Sequence, residues 1–241
     1  MENDKIITVQ NLVKKFGSFT ANDNLTFDVY RGEIFGFLGA NGAGKTTALR
    51  ILCGLSSPTS GEVKVAGFDI YRETEKIKKN IGYMSQKFSL YEDLTVSENI
   101  QFYAGIYGIS PKKRKEKEAL LLQKLEMTGA RHKLIAGLPL GWKQKLAFSV
   151  AVFHDPKIVF LDEPTGGVDP VTRRKFWDLI YEVASNGITV FVTTHYMDEA
   201  EYCDRVSIMD AGKIEALDSP ANLKKTYNAK NMDEVFIQIA R

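Results

Sequence analysis

The chain has 241 residues, 44% hydrophobic and 26% charged, and its thirty-two basic and thirty acidic side chains leave a formal charge of +2. This is the composition of a globular chain with enough apolar matter for a core, and it is too near balance for bulk electrostatic binding to nucleic acid or anionic lipid. No apolar run approaches the ~20 residues of a membrane-spanning helix, the charged start MENDKIITVQ lacks the apolar core of a secretory leader, and Cys53 and Cys203, with no CxxC, read as free thiols in a reducing compartment rather than a disulfide or zinc framework.

In chain order, IITVQNLVKKF and NLTFDVY alternate apolar and polar residues and are expected as strands, with the polar run GSFTANDN as the turn between them. IFGFLGANGAGKTTALRILCGL follows as a short apolar strand, a glycine-rich turn and a helix closing at Gly54. Pro58 and Gly61 punctuate a loop before GEVKVAGFDI, which reads as a hairpin. IGYMSQ, from Ile81 to Gln86, is another short strand.

From about Leu90 to Asp155 the periodicity is helical. Thr95 with Glu98 three residues on is a capping-box pattern, Pro111 opens a second helix, and a third runs from near Gly141 to about His154. The cluster Lys112, Lys113, Arg114, Lys115 and Lys117, diluted by Glu116 and Glu118, reads as a solvated helix face. After Pro156 come a strand in KIVFLDEPTGG, a helix over Pro170 to Ser185, a strand over Ile188 to Thr193, a helix over Tyr196 to Glu201 and a strand over Val206 to Asp210. Short apolar strands alternating with helices indicate an α/β fold around a mostly parallel sheet. The expected organisation is an N-terminal β part and core over 1–88, an inserted helical subdomain over 89–156, the rest of the core over 157–218 and a short extension over 219–241.

Gly39-Ala40-Asn41-Gly42-Ala43-Gly44-Lys45-Thr46 fits G-x-x-x-x-G-K-[ST] between a predicted strand and a predicted helix, with Thr47 next in line. Glycines let such a loop wrap so that successive N–H groups converge on phosphate oxygens, and the helix N-terminus adds its dipole. Lys45 then reaches the β- and γ-phosphates and the Thr46 hydroxyl serves Mg²⁺, so the pattern implies a nucleoside triphosphate. The run Ile158-Val159-Phe160-Leu161 ends in Asp162 and Glu163. Buried parallel strands read as continuous apolar runs and present ligand-binding groups at their carboxyl ends. Asp162 therefore suits Mg²⁺, and Glu163 suits the base that polarises a water for attack on the γ-phosphate.

These motifs, with IGYMSQ, LPLGWKQK, GGVDP and VTTH in order, resemble the nucleotide-binding domain of ATP-binding cassette transporters over nearly the whole chain. The resemblance implies a P-loop NTPase core with an N-terminal antiparallel part and a helical insertion. It implies that Phe16 stacks on adenine, that Gln86 touches Mg²⁺ where a membrane subunit docks, that Asp169 in Gly166-Gly167-Val168-Asp169 lies where two nucleotide sites sense each other, and that His195 contacts the γ-phosphate. Where the family usually has LSGGQ, this chain has Leu138-Pro139-Leu140-Gly141-Trp142. Pro139 removes a hydroxyl and an N–H donor, Leu140 removes a glycine's access to positive φ, and Gly141 remains at a helix start, able to serve ATP held by another subunit.

Two readings of that departure stand: a tolerated variant that closes over ATP as a homodimer, or a chain paired with a paralogue that supplies the usual motif. LDEPTGGVDPVTRR and THYMDEAEYCDR most resemble the drug- and polysaccharide-export branch, whose ATPase serves a separate permease. The expectation is thus an ATP- and Mg²⁺-dependent ATPase on the cytoplasmic face of the membrane, partnered by a permease and not by nucleic acid. The alternatives are a soluble cassette ATPase acting on nucleic acid or ribosomes and a nucleotide sensor that does not hydrolyse.

Overall fold

The structure, a computed structural model, describes residues 4–86 and 90–239. The expected boundary between residues 88 and 89 and the outermost ends of the first and last expected segments lie outside them. The chain opens with β1 (Lys5–Phe16), β2 (Phe19–Tyr30) and β3 (Ile34–Gly39), then α1 (Lys45–Leu52), β4 (Ser60–Val65), β5 (Phe68–Asp69), α2 (Thr74–Asn80) and β6 (Ile81–Met84). Helices α3 (Val96–Ile106), α4 (Pro111–Lys124) and α5 (Leu140–Ala151) follow, with β7 (Ile158–Asp162), α6 (Pro170–Ser185) and β8 (Thr189–Thr194) after them. The chain then runs through β9 (Arg205–Asp210), β10 (Lys213–Asp218), α7 (Pro220–Thr226) and α8 (Met232–Ile239).

Among the described residues the strands form two sheets. One is antiparallel, in the order β2-β1-β4-β5. The other runs β10-β9-β3-β8-β7-β6 and is parallel except for the β10–β9 edge. Its central strands feed two apolar layers because side chains alternate across a strand. Leu38, Val159, Leu161, Val190 and Val192 point to the layer shared with α5 and α6. Phe35, Phe37, Phe160 and Phe191 point to the layer shared with α1 and the antiparallel sheet. There Phe27 joins Phe35, Phe37 and Phe191, with ring centroids 5.3–6.5 Å apart. Helix α1 is thereby held between two sheets, and its N-terminus is placed at the carboxyl end of β3.

Several elements differ from the sequence expectation. The turn expected over residues 17–24 shrinks to two residues, because the polar run from Phe19 pairs with β1 down to Phe16↔Phe19. Strand pairing, not apolar content, decides that span. The strand expected over Ile81 to Gln86 ends at Met84, where pairing with β7 ends. Helix α5 begins at Leu140 and stops at Ala151, short of His154, and the helix expected over Tyr196 to Glu201 is a 3-10 stretch over Met197–Tyr202. Glu118 does not dilute the basic face of α4: it is 2% exposed and takes bonds from Ser97 Oγ at 2.5 Å and Arg131 Nε at 3.1 Å. Thr95 and Glu98 form the expected capping box on α3, and Pro111 opens α4 behind Ser110 as its cap.

Candidate functional site

Four loops converge at the carboxyl ends of parallel strands: the glycine loop after β3, Gln86 after β6, Glu163 after β7 and His195 after β8. Asp162 is the last residue of β7 and is 2% exposed. Its Oδ1 accepts from Thr193 Oγ1 at 2.7 Å and from Thr46 Oγ1 at 3.2 Å. Burial pushes its pKa up while those two hydroxyls pull the other way. An ionised carboxylate there is favoured by a cation, and Mg²⁺ takes hard oxygen donors such as this one and the Thr46 hydroxyl. Among the described residues no cluster of three or more His, Cys, Asp or Glu forms a self-sufficient metal cage.

Glu163 follows with φ 48°, a left-handed conformation uncommon outside glycine that collects at functional sites. Its N–H donates to Thr193 O at 3.0 Å, which ties this bend to β8. The bend brings the carboxylate, 9% exposed, into a ring of polar groups. Gln86 Nε2 donates to Glu163 Oε2 at 2.8 Å, and His195 Nδ1 stands 3.1 Å from the same oxygen, off the line of a hydrogen bond. Lys45 Nζ lies 3.8 Å from Oε1 and donates to Gly39 O at 2.7 Å and Ala40 O at 3.0 Å. Burial pushes the Lys45 pKa down, against the pull of Glu163 and then Asp162. Lys45, Gln86 and His195, from three separate stretches of the sequence, thus surround the Glu163 carboxylate.

The loop itself is braced from the antiparallel sheet. Asn22 on β2 is fully buried and its Nδ2 donates to Gly44 O at 3.1 Å. Gly44, with φ 101°, caps α1. Asn41 and Gly42 are exposed at the loop tip, Ala43 is buried beneath it, and Thr47 is half-buried on the first turn of α1. Asn22 and Thr193 carry no sequence signal for these roles. Nothing local marks a polar residue within a strand as a brace, although Thr193 sits inside VTTH beside His195.

The remaining candidates lie elsewhere. Phe16 is 55% exposed at the end of the β1–β2 hairpin, with Lys14 Nζ 4.8 Å from its ring centroid. Gly141 and Asp169 come together around a cavity of about 450 Å³, with Trp142, Lys145 and Thr172. Asp169 caps α6, accepting from Val171 N and Thr172 N at 3.0 Å. Neither Leu140 nor Gly141 has positive φ, so the exchange of glycine for leucine at 140 leaves the backbone unstrained. Pro139 at the cap position keeps the turn, its carbonyl accepting from Trp142 N at 3.0 Å.

The family model described as ABC transporter matches residues 22–166. The chain is 45% identical over 98% of its length to the probable multidrug ABC transporter ATP-binding protein YbhF of Escherichia coli strain K12, but spans only 42% of that relative. It is 34% identical over 90% of its length, and over 70% of the relative, to the linearmycin resistance ATP-binding protein LnrL of Bacillus subtilis strain 168. Among solved structures it is similar to the dimeric post-hydrolysis state of the ATP-binding cassette MJ0796 bound to ADP and Pi. That likeness has a TM-score of 0.80 and 27% identity, and covers 88% of this chain and 98% of that one.

Proposed function

We propose, from the premise that this chain belongs to the ABC transporter family, that it is the ATP-hydrolysing unit that powers a membrane permease of the exporting kind. The observation that carries this reading is the convergence of Gln86, His195 and Lys45 on Glu163, beside a buried Asp162. In the reading, the backbone of the glycine loop and Lys45 hold the triphosphate, Phe16 stacks on the base, and Asp162, Thr46 and Gln86 hold Mg²⁺. A bound Mg²⁺ would supply charge neutralisation on the phosphates. Glu163 Oε2, oriented by Gln86, takes a proton from the attacking water, and His195 meets the γ-phosphate.

Two chains, identical or paralogous, sandwich the nucleotide, with Gly141 of one facing ATP held by the other and Asp169 at the junction. The dimeric relative bound to ADP and Pi supports that arrangement. ATP then acts as a ligand of the closed pair, and closure pulls on the permease. Phosphate release from ATP by the purified chain should be lost on chelation of Mg²⁺ and restored by adding it back. Turnover that persists in excess chelator would overturn the metal assignment.

The permease contact is assigned to the side of the molecule that carries α3. Tyr91 and Phe102 are exposed there and meet edge to face at 4.8 Å. Tyr107, one residue past α3, is stacked on His154, with centroids 3.5 Å apart. Beside them a groove of about 1210 Å³ runs past Leu55, Ile106 and Ile109, with Lys78, Lys79 and Lys113 along it. Ile106 is 61% exposed, so Ile106→Glu should leave the melting temperature unaltered. In host membranes the variant should shift from the membrane pellet to the soluble fraction. Equal membrane retention of variant and wild type would remove the groove from the contact.

A further inference from the structure

The side chains around Glu163 are not all anchored in the same way. Gln86 and Lys45 are aimed by the hydrogen bonds they donate. A histidine is ordinarily aimed by such a bond on one ring nitrogen, but His195 Nδ1 is buried and has no hydrogen-bond partner among the described residues. What meets the imidazole is the ring of Tyr196, with centroids 4.2 Å apart and planes 37° from each other. Tyr196 lines the cavity of about 370 Å³ that also borders Gln86, Glu163 and His195. Its N–H donates to Thr194 Oγ1 at 3.0 Å, which fixes its backbone at the end of β8.

The Tyr196 ring is held from another element. The Arg173 guanidinium of α6 lies 4.0 Å from its centroid, the shortest cation–π approach among the described residues. Arg173 is clamped in turn. Its Nη1 donates to Asp198 Oδ2 at 3.2 Å, and its Nε faces Glu199 Oε1 at 3.7 Å. Glu199 is fully buried and accepts from Thr165 Oγ1 at 2.5 Å, on the loop that carries Glu163. Asp198 and Glu199 lie on the 3-10 stretch that follows Tyr196, so the clamp closes on the segment that carries His195. Glu199 Oε2 is left without a donor among the described residues. A buried ion pair with part of its bonding unmet adds little to stability, and what this one supplies is direction.

We propose that Tyr196 is a positioning residue that aims the His195 imidazole, and that Arg173 keeps Tyr196 in place from α6. A ring with no hydrogen bond on the nitrogen beside Glu163 takes its direction from what it packs against. Tyr196 can give that direction only while its own ring is held. A misplacement of about 1 Å in such a site costs on the order of 10²-fold in rate. Loss of the tyrosine ring therefore leaves the nucleotide bound and His195 misdirected. The inference rests on the proposed ATPase function and on the part given there to His195.

The test is initial rate against ATP concentration for the full chain and for Tyr196→Leu, Tyr196→Phe and Arg173→Lys. Tyr196→Leu should lower kcat about tenfold at unaltered KM, the mark of an interaction felt in the transition state alone. Tyr196→Phe keeps the ring and should stay within about twofold of wild type. Arg173→Lys keeps the charge but cannot lie flat on the ring, and should lower kcat about threefold. This variant leaves Tyr196 in place and carries the test if Tyr196→Leu does not fold. Each exchange is then repeated on top of His195→Gln, whose residual rate neither Tyr196→Leu nor Arg173→Lys should lower further. A merely structural role would raise KM as well, and its losses would multiply with that of His195→Gln. Multiplying losses, a phenylalanine variant as slow as the leucine one, or wild-type kcat in both Tyr196→Leu and Arg173→Lys would each overturn the proposal and leave the ATPase reading standing. Absence of any wild-type turnover would instead sink that reading and the proposal with it.

Discussion

Glu163→Gln should lower ATP turnover by about 10²–10⁴-fold, the usual contribution of a positioned general base. The amide keeps the shape of the carboxylate and can still accept from Gln86 Nε2, now 2.8 Å from Oε2. A non-glycine residue already stands at φ 48°, so the exchange adds no new backbone strain and the loop should survive. What is lost is basicity at the one oxygen that Gln86 and His195 share. Because the proposed reading puts binding of the triphosphate on the glycine loop and Lys45, ATP should still drive monomers into dimers, and the dimer should persist for lack of hydrolysis. Phosphate release and light scattering on the same preparation check both halves. Turnover within threefold of wild type would remove Glu163 from the base role. Lost turnover together with a persistent monomer would instead mean that Pro139-Leu140-Gly141 does not grip a γ-phosphate in a second copy of this chain.

Gly44→Ala should abolish nucleotide binding and lower stability by about 1–3 kcal/mol, the usual size of local backbone strain. Two effects add. The backbone is at φ 101°, where a Cβ is strained. That Cβ would also drive into the carbonyl oxygen of Ala21 and reach 2.7 Å from Asn22 Nδ2. Both neighbours belong to β2, where Asn22 pairs with Lys14 of β1 beside an irregularity of the ladder and the next residue, Asp23, donates its N–H to Gly212 O at 2.8 Å, so the strand is held from two sides. The loop must move, and the N–H groups that the proposed reading aims at phosphate would lose that aim. Gly42→Ala separates the two causes, since Gly42 has φ 85° with no heavy atom within 4 Å of an added Cβ. It should show the dihedral penalty alone and a smaller melting shift. Calorimetric titration with ATP and thermal unfolding measure the pair. Gly44→Ala binding ATP within threefold of wild type would show that the brace from β2 is not what shapes the loop.

Much of this molecule is legible residue by residue. The run Ile158–Leu161 reads as a buried parallel strand because apolar residues occupy both of its faces, and it is one. Asp169-Pro170 opens α6, the carboxylate capping the helix and the proline fitting its first position. The short spans fared worse. Helix α2 has one buried residue, Ile77, so it carries no apolar stripe to detect. Strand β10, with exposed and half-buried positions throughout, exists because β9 offers it an edge. The polar start of β2 likewise becomes strand only through its pairing with β1.

Family membership is legible in order and spacing along the chain. The glycine loop with its lysine and threonine, the acid pair closing an apolar run, and the series from IGYMSQ to VTTH carry the family and point to nucleotide chemistry, because these motifs act through backbone and side chains a few residues apart. The tertiary structure decided what no local window contains. It made Asn22 a brace for Gly44, gathered Gln86 and His195 onto one oxygen of Glu163, and tied Gln144 to Gly166. Each of these is a contact between segments 22 or more residues apart. Their partners are chosen by strand order and helix packing, and a polar side chain reveals its partner only once the sheet has brought the two together.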